Sequence, residues 1–286
     1  MKTIGVVANH NKPRAGEVVA RLASRARELG LGLAGWGETA GLLVAAGVEQ
    51  PTRKAPQEVD VLVALGGDGT MLRAVREFSS LGKPFLGVNI GSLGFLTSVA
   101  ENDLDRALEC IAKGGYFVTE RSMAACRMPS RDAAEEHLAL NDVVIRTGAS
   151  ARMITLEVSI DGEYVTSYMC DGLIIATPTG STGHSLSAGG PILAPACPTF
   201  VISCICAHAL STRPLVVPDT CRIAVRASKA SGEMVVVLDG QADRAFLPGQ
   251  QVDVVKADGR VKFLHLPDYG YYGVLRQKLH WRGSSV

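Results

Sequence analysis

Chemistry in this chain can begin at Gly66-Gly67-Asp68-Gly69-Thr70. The three glycines let the backbone reach positive φ and let a ligand approach closely. A carboxylate pinned in such a turn suits a general base, or a group that organises a hydroxyl or a metal ion. The same residues also make a tight strand-to-helix turn with Asp68 capping the helix. A second stretch is longer and runs from Asp171 to Pro191: DGLIIATPTGSTGHSLSAGGP. An apolar strand there enters a run of hydroxyl residues and glycines. Hydroxyls and backbone N–H groups can hold a phosphate or a ribose where no side-chain charge is offered. A solvated Gly/Ser loop fits less well, because the run lies between apolar strands and carries little charge. Asn141-Asp142, opening the strand VVIR, and Asp239-Gly240-Gln241, after MVVVL, are weaker signals that also read as turns.

Other signatures are absent or misplaced. Gly30, Gly32 and Gly35 spell G-x-G-x-x-G, but they follow a helix instead of opening one. The dinucleotide fingerprint needs the opposite order, so Gly30 reads as a helix C-cap. The chain has no G-x-x-x-x-G-K-[ST] and no H-E-x-x-H. His208 near Cys204 and Cys206 reads as a core strand with two small thiols rather than as a metal site.

These residues need elements to position them. The first third alternates apolar strands (3–8, 31–34, 59–65, 84–89) with helical spacing (15–29, 70–78, 101–112), which implies βαβ units and a parallel sheet. Asp68 then sits where a strand ends and a helix starts. Beyond about residue 115, short β-rich stretches dominate: 121–128, 138–146, 153–160, 172–177, 199–204, 221–227 and 234–238. Turns at Asp161-Gly162 and Asp258-Gly259 are expected to separate strands. The expected organisation is an α/β, Rossmann-like domain over 1–118 carrying GGDG and a mainly β, sandwich-like domain over 119–260. A tail over 261–286, aromatic and helical at its end, docks on a core or on another subunit.

Composition sets the outer limits. The chain has 286 residues, 47% hydrophobic and 20% charged, which excludes a predominantly disordered polymer. Its net charge of +1 provides no bulk field for nucleic acid or an anionic membrane. No apolar run approaches the roughly 18 residues of a membrane span, and the first strand is too short for a signal peptide core. Seven irregularly spaced cysteines without a C-x-x-C pair indicate a reduced, cytoplasmic protein.

Taken in order, the four stretches resemble the NAD kinase family. That family's pattern is GGDG, then Asn-Glu, then DG-x5-TPTGST-A-Y-SLSAGGP, then a DGQ-like turn. The likeness spans roughly residues 60–245, and the ending YYGVLRQKLHW resembles the family's C-terminus. The long third stretch makes the match specific, whereas GGDG alone also occurs in lipid kinases and phosphofructokinases. The resemblance implies an α/β domain followed by a β-sandwich-like domain, with the tail returning to the first. It implies phosphoryl transfer from ATP or polyphosphate to the 2′-hydroxyl of the adenosine ribose of NAD, forming NADP. It further implies a divalent metal ion, Mg²⁺, accompanying ATP, and a cytoplasmic homodimer or homotetramer. The alternatives are a lipid or sugar kinase sharing only the GGDG turn, and a non-catalytic NAD-binding regulator.

Carried over by position, the resemblance makes Asp68 the base at the ribose hydroxyl, with Gly69 and Arg73 beside it. Gly66, Gly67 and Thr70 fall on the phosphate-donor side. Asn141 and Asp142 match the pair that grips NAD, Arg152 a basic position facing the site, and Asp171 the acid near the nicotinamide half. Thr182, Gly183, His184, Ser185, Leu186 and Ser187 match the segment that wraps the substrate, and Gln241 the DGQ turn. Four departures stand out. Asp142 replaces the commoner Glu, and Gly183-His184 stands where Ala-Tyr is usual. Met169 occupies a position that is basic in some members, and Ala207-His208-Ala209 replaces Pro-His-Ser.

Overall fold

Strands buried on both faces read as continuous apolar runs, and VLVALG at 61–66 is buried at every residue. The computed structural model describes residues 1–91, 94–129, 135–148, 153–209, 211–230 and 234–281. The chain divides into two units: Met1–Glu120 together with the chain from Val261 onward, and Arg121–Arg260.

The first unit begins with β1 (Thr3–Ala8), α1 (Ala15–Glu28), β2 (Gly32–Gly35) and α2 (Glu38–Ala45). It continues through β3 (Val61–Gly66), α3 (Asp68–Phe78), β4 (Pro84–Asn89), β5 (Val99–Ala100) and α4 (Leu104–Lys113). Strands β2, β1, β3 and β4 lie side by side, all parallel. Ile4, Leu22, Val63, Leu65, Leu86 and Leu108 share one core. Gly30 closes α1 at φ 65°, and Gly32 and Gly35 lie in β2, so the G-x-G-x-x-G string opens no helix.

The second unit draws on β6 (Phe117–Met128), which enters it from the first, and on β7 (Glu135–Ala139), β8 (Asp142–Thr147), β9 (Ile154–Ile160), β10 (Glu163–Cys170) and β11 (Gly172–Ala176). The short helix α5 (His184–Ser187) precedes β12 (Thr199–Ile205), β13 (Leu215–Pro218), β14 (Ile223–Ala230), β15 (Met234–Leu238), β16 (Ala242–Phe246) and β17 (Gln251–His265). One sheet runs β13-β12-β11-β8-β15-β16; in the other, β10, β9, β14 and β17 are neighbours. Ile145, Leu173, Phe200 and Val236 of the first sheet meet Leu156, Val225 and Val254 of the second in a common core, which makes the unit a sandwich.

The Asp258-Gly259 turn is not formed. β17 continues through both residues, because its start pairs with β14 and its end, Lys262 and Phe263, pairs with β4 of the first unit. Long-range pairing at both ends outweighs the local turn preference. The stretch 138–146 is likewise two strands, β7 and β8, interrupted at Leu140-Asn141. The chain from Val261 onward belongs to the first unit and ends in α6 (Tyr271–Lys278). No described helix is long and apolar enough to cross a membrane.

Candidate functional site

In the first unit the chain leaves β1 towards β2 and leaves β3 in the opposite direction, towards β4. Ligands of open α/β sheets bind outside the carboxyl ends of the strands at such a switch point. The GGDG turn lies there, and the N–H of Asn9, just past β1, donates to the Leu65 carbonyl at 2.9 Å. Gly66 has no room for a side chain, since a Cβ would fall 2.2 Å from Thr70 Oγ1. The buried Thr70 hydroxyl accepts from the Gly67 N–H at 3.4 Å, so it braces the turn from within. Gly69 is exposed.

Asp68 is half-buried in the first turn of α3, where the helix dipole favours a negative charge. Its Oδ2 accepts from the Phe95 N–H at 2.8 Å. Its Oδ1 accepts from the N–H groups of Leu96 at 3.0 Å and Thr97 at 3.1 Å, and from the Thr97 hydroxyl at 3.2 Å. Arg73 turns elsewhere: its Nη2 donates to the Ala8 carbonyl at 2.7 Å, and its buried Nε has no partner among the described residues. It lines a cavity of about 270 Å³ with Trp36, Thr39, Glu77 and Phe78.

In the second unit, Asp239 occupies a left-handed turn after β15, at φ 52°. Its carboxylate accepts from the N–H groups of Leu140 at 2.9 Å, Asn141 at 2.7 Å and Asp142 at 3.2 Å. That grip fixes the interruption between β7 and β8 and with it the side chains of Asn141 and Asp142. Asn141 Oδ1 is buried without a partner among the described residues. Asp142 is buried, and desolvation, followed by the nearby Asp239 charge, pushes its carboxyl up to about 7. Both residues line a cavity of about 430 Å³ together with Arg146, His184, Asp239 and Asp243. A cavity lined by a buried carboxyl group and an asparagine suits the N–H and O–H groups of a bound ligand.

The hydroxyl-rich segment packs directly on this interruption. The Thr177 hydroxyl donates to the Leu140 carbonyl at 2.6 Å, and the Thr177 N–H to the Asn141 carbonyl at 2.8 Å. Gly180 approaches so closely that a Cβ would lie 2.1 Å from the Asn141 oxygen. Several of the hydroxyls are spent inside the segment. Ser181 donates to the Pro178 carbonyl and accepts from the Leu193 N–H; Thr182 donates to the Thr179 carbonyl; Ser185 pairs with Ser203. Gly183, His184 and Ser187 remain exposed, and Leu186 is half-buried.

Asp171 stands between β10 and β11, hydrogen-bonded to the Cys206 thiol, whose pKa this bond raises. Met169 is exposed on β10, and its carbonyl accepts from the His208 N–H at 3.0 Å. Gln241 is exposed in the turn after Asp239. Arg152 lies outside the described residues. The sequence marks Asp239 only as part of the Asp239-Gly240-Gln241 turn, and it gives Arg146 and Asp243 no role. Arg146 had a readable signal: it shares one face of β8 with Asp142. Among the described residues, no group of three or more His, Cys, Asp or Glu side chains could hold a metal ion. All seven cysteines are free.

A carboxylate held at a parallel-sheet switch point in one unit, and a cavity lined by buried polar groups in the other, define an α/β-plus-β architecture with candidate site groups in each unit. Residues 4–116 match the family model of the ATP-NAD kinase N-terminal domain, and residues 140–266 that of the C-terminal domain. The NAD kinase of Syntrophotalea carbinolica is 39% identical over 282 residues, covering 98% of this chain and 99% of its own. That of Magnetococcus marinus is 42% identical over 234 residues, covering 81% and 77% respectively. Among solved structures, an Archaeoglobus fulgidus NAD kinase in complex with ATP superposes with a TM-score of 0.77 at 26% identity, covering 98% of this chain and all of that one. A yeast NADH kinase complexed with NADH shares the fold, with a TM-score of 0.88 at 24% identity, over 100% of this chain and 89% of that one. The chain belongs to the NAD kinase family.

Proposed function

We propose that the protein transfers the terminal phosphoryl group of ATP, or of polyphosphate, to the 2′-hydroxyl of the adenosine ribose of NAD, forming NADP. The observation that carries this reading is the Asp68 carboxylate. It is pinned at the strand switch point, yet Oδ2 accepts a single hydrogen bond among the described residues. Asp68 takes the proton from the ribose hydroxyl as the sugar oxygen bonds to phosphorus and the bridging bond to the leaving phosphate breaks. Asn141 and Asp142 hold NAD through the unpartnered acceptor and the buried carboxyl, with His184 at the cavity wall. Phosphoryl transfer asks the protein chiefly for positioning and charge compensation.

Mg²⁺ is proposed to arrive with the donor, since this ion is commonly held by substrate phosphates with few protein ligands. Gly69, Asp171, Met169, Gln241 and Thr182 to Ser187 are proposed contacts of the rest of NAD, and Gly66, Gly67 and Thr70 of the donor phosphates. The proposed setting is a cytoplasmic homo-oligomer, on the strength of the family's habits and the irregular, free cysteines. A donor-by-acceptor matrix on purified protein, pairing ATP or polyphosphate with NAD or NADH, is expected to yield NADP with Mg²⁺ present. No phosphorylation of either dinucleotide with any donor would overturn the reading.

A further inference from the structure

The loop that cages Asp68 is itself held by a chain of donors with a fixed direction. Thr97 is fully buried, and its Oγ1 receives two N–H groups: Asn89 Nδ2 at 2.8 Å and the Gly94 backbone at 3.2 Å. A hydroxyl has two lone pairs and one hydrogen. With both lone pairs taken, its proton goes to the remaining neighbour, Asp68 Oδ1, at 3.2 Å. That oxygen also receives the Leu96 and Thr97 N–H groups, so its own lone pairs are committed. Asn89 is buried at the end of β4. Gly94 leaves no alternative placement: a Cβ there would lie 1.8 Å from Asp68 Oδ1 and 2.6 Å from Thr97 Oγ1.

We propose that Thr97, seated by Asn89 and Gly94, is a positioning residue for Asp68: it commits Oδ1 and leaves Oδ2 as the oxygen that receives the ribose proton. This rests on the reading of Asp68 as the base. The relay fixes the torsion of the carboxylate, and the open oxygen then keeps one direction relative to α3. A group held this way pays no reorganisation when the substrate hydroxyl arrives, which is the advantage of preorganised geometry. Thr97 and Asn89 touch no reacting atom and act only through Asp68.

The test is steady-state kinetics of NADP formation on purified full-length variants. Thr97→Val keeps the shape of the side chain and removes the hydroxyl. It is expected to lower kcat about tenfold, since hydrogen bonds to charged groups carry the larger share of such effects, and to leave the NAD KM within about twofold. Thr97→Ser restores the hydroxyl and is expected to return most of kcat. Asn89→Asp offers the hydroxyl a competing carboxylate and is expected to lower kcat as Thr97→Val does. In an Asp68→Asn background, Thr97→Val is expected to cost nothing further, because its effect passes through Asp68. Melting curves accompany each variant, and Asn89→Asp answers the question if Thr97→Val does not fold. If kcat of folded Thr97→Val matches the parent, or if Thr97→Val lowers kcat as much in the Asp68→Asn background, the positioning role is wrong. If Asp68→Asn itself turns over normally, it is the base assignment that fails.

Discussion

The Asp68 turn and the hydroxyl-rich segment of the second unit look alike as sequence: both are glycine-rich, both follow an apolar strand, and both carry polar side chains suited to a nucleotide. They use those groups in opposite ways. Around Asp68, three backbone N–H groups and one hydroxyl converge on a single carboxylate and leave one oxygen less engaged than the other. In the segment from Thr177 to Ser187, the hydroxyls of Thr177, Ser181, Thr182 and Ser185 are turned onto the protein's own carbonyls and hydroxyls. The first region orients one carboxylate. The second builds a wall that presses on the Asn141 backbone, and Asn141 and Asp142, which line the cavity, are the residues that this wall supports. Hydroxyl content therefore signals a tightly folded loop as readily as a binding surface.

This contrast makes separable predictions. Damage to the first region should appear in kcat, and damage to the second in KM. The largest effect is expected for Asp68→Asn, with a loss of about 10²–10⁴ in kcat while circular dichroism shows the fold retained. Gly180→Ala comes next. Its Cβ would press on the Asn141 carbonyl, and an overpacking cost of roughly 1–3 kcal/mol should raise the NAD KM by about thirtyfold, with a lower Tm. A fall in kcat at unchanged KM for this variant would erase the distinction between the regions.

His184→Ala should raise the NAD KM by about tenfold, on the guide that stacking on a base is worth roughly 1–3 kcal/mol. His184→Tyr should hold or improve it. An unchanged KM in the alanine variant would remove His184 from the cavity's working wall.

The smallest effect concerns Asp142. Its carboxyl titrates at about 7 in the folded protein, above the ordinary value of 3.8 that applies when the chain is unfolded. Between those limits the folded state keeps a proton that the unfolded chain has released, so this residue's contribution to stability falls as pH rises from about 4 to 7. Asp142→Asn keeps the side chain neutral at every pH. It should raise the Tm by roughly 5 °C at pH 8 and leave it unchanged near pH 4. Thermal melts at the two pH values check this, and an equal shift at both would show that Asp142 is not buried as a neutral acid.

Much of this molecule could be read from the sequence alone. Period and composition separated an alternating α/β region from a β-rich one, because a strand buried on both faces must be apolar throughout and an amphipathic helix must repeat near 3.6 residues. The GGDG turn, the Gly30 cap and the Asn141-Asp142 pair are local, so local residue types revealed them. What tertiary structure decided is which distant groups those residues meet. The partners of Asp68 arrive from Phe95 to Thr97, across β4. Asp239 grips Asn141 from 98 residues away. Asp258-Gly259 has the composition of a turn and lies inside a strand, because β17 is claimed by pairing at both ends. Local propensities amount to about a kilocalorie per residue or less, and strand register easily overrides them. A hydrogen bond's direction and an oxygen's free lone pair follow from that register, and the sequence carries no periodic trace of either.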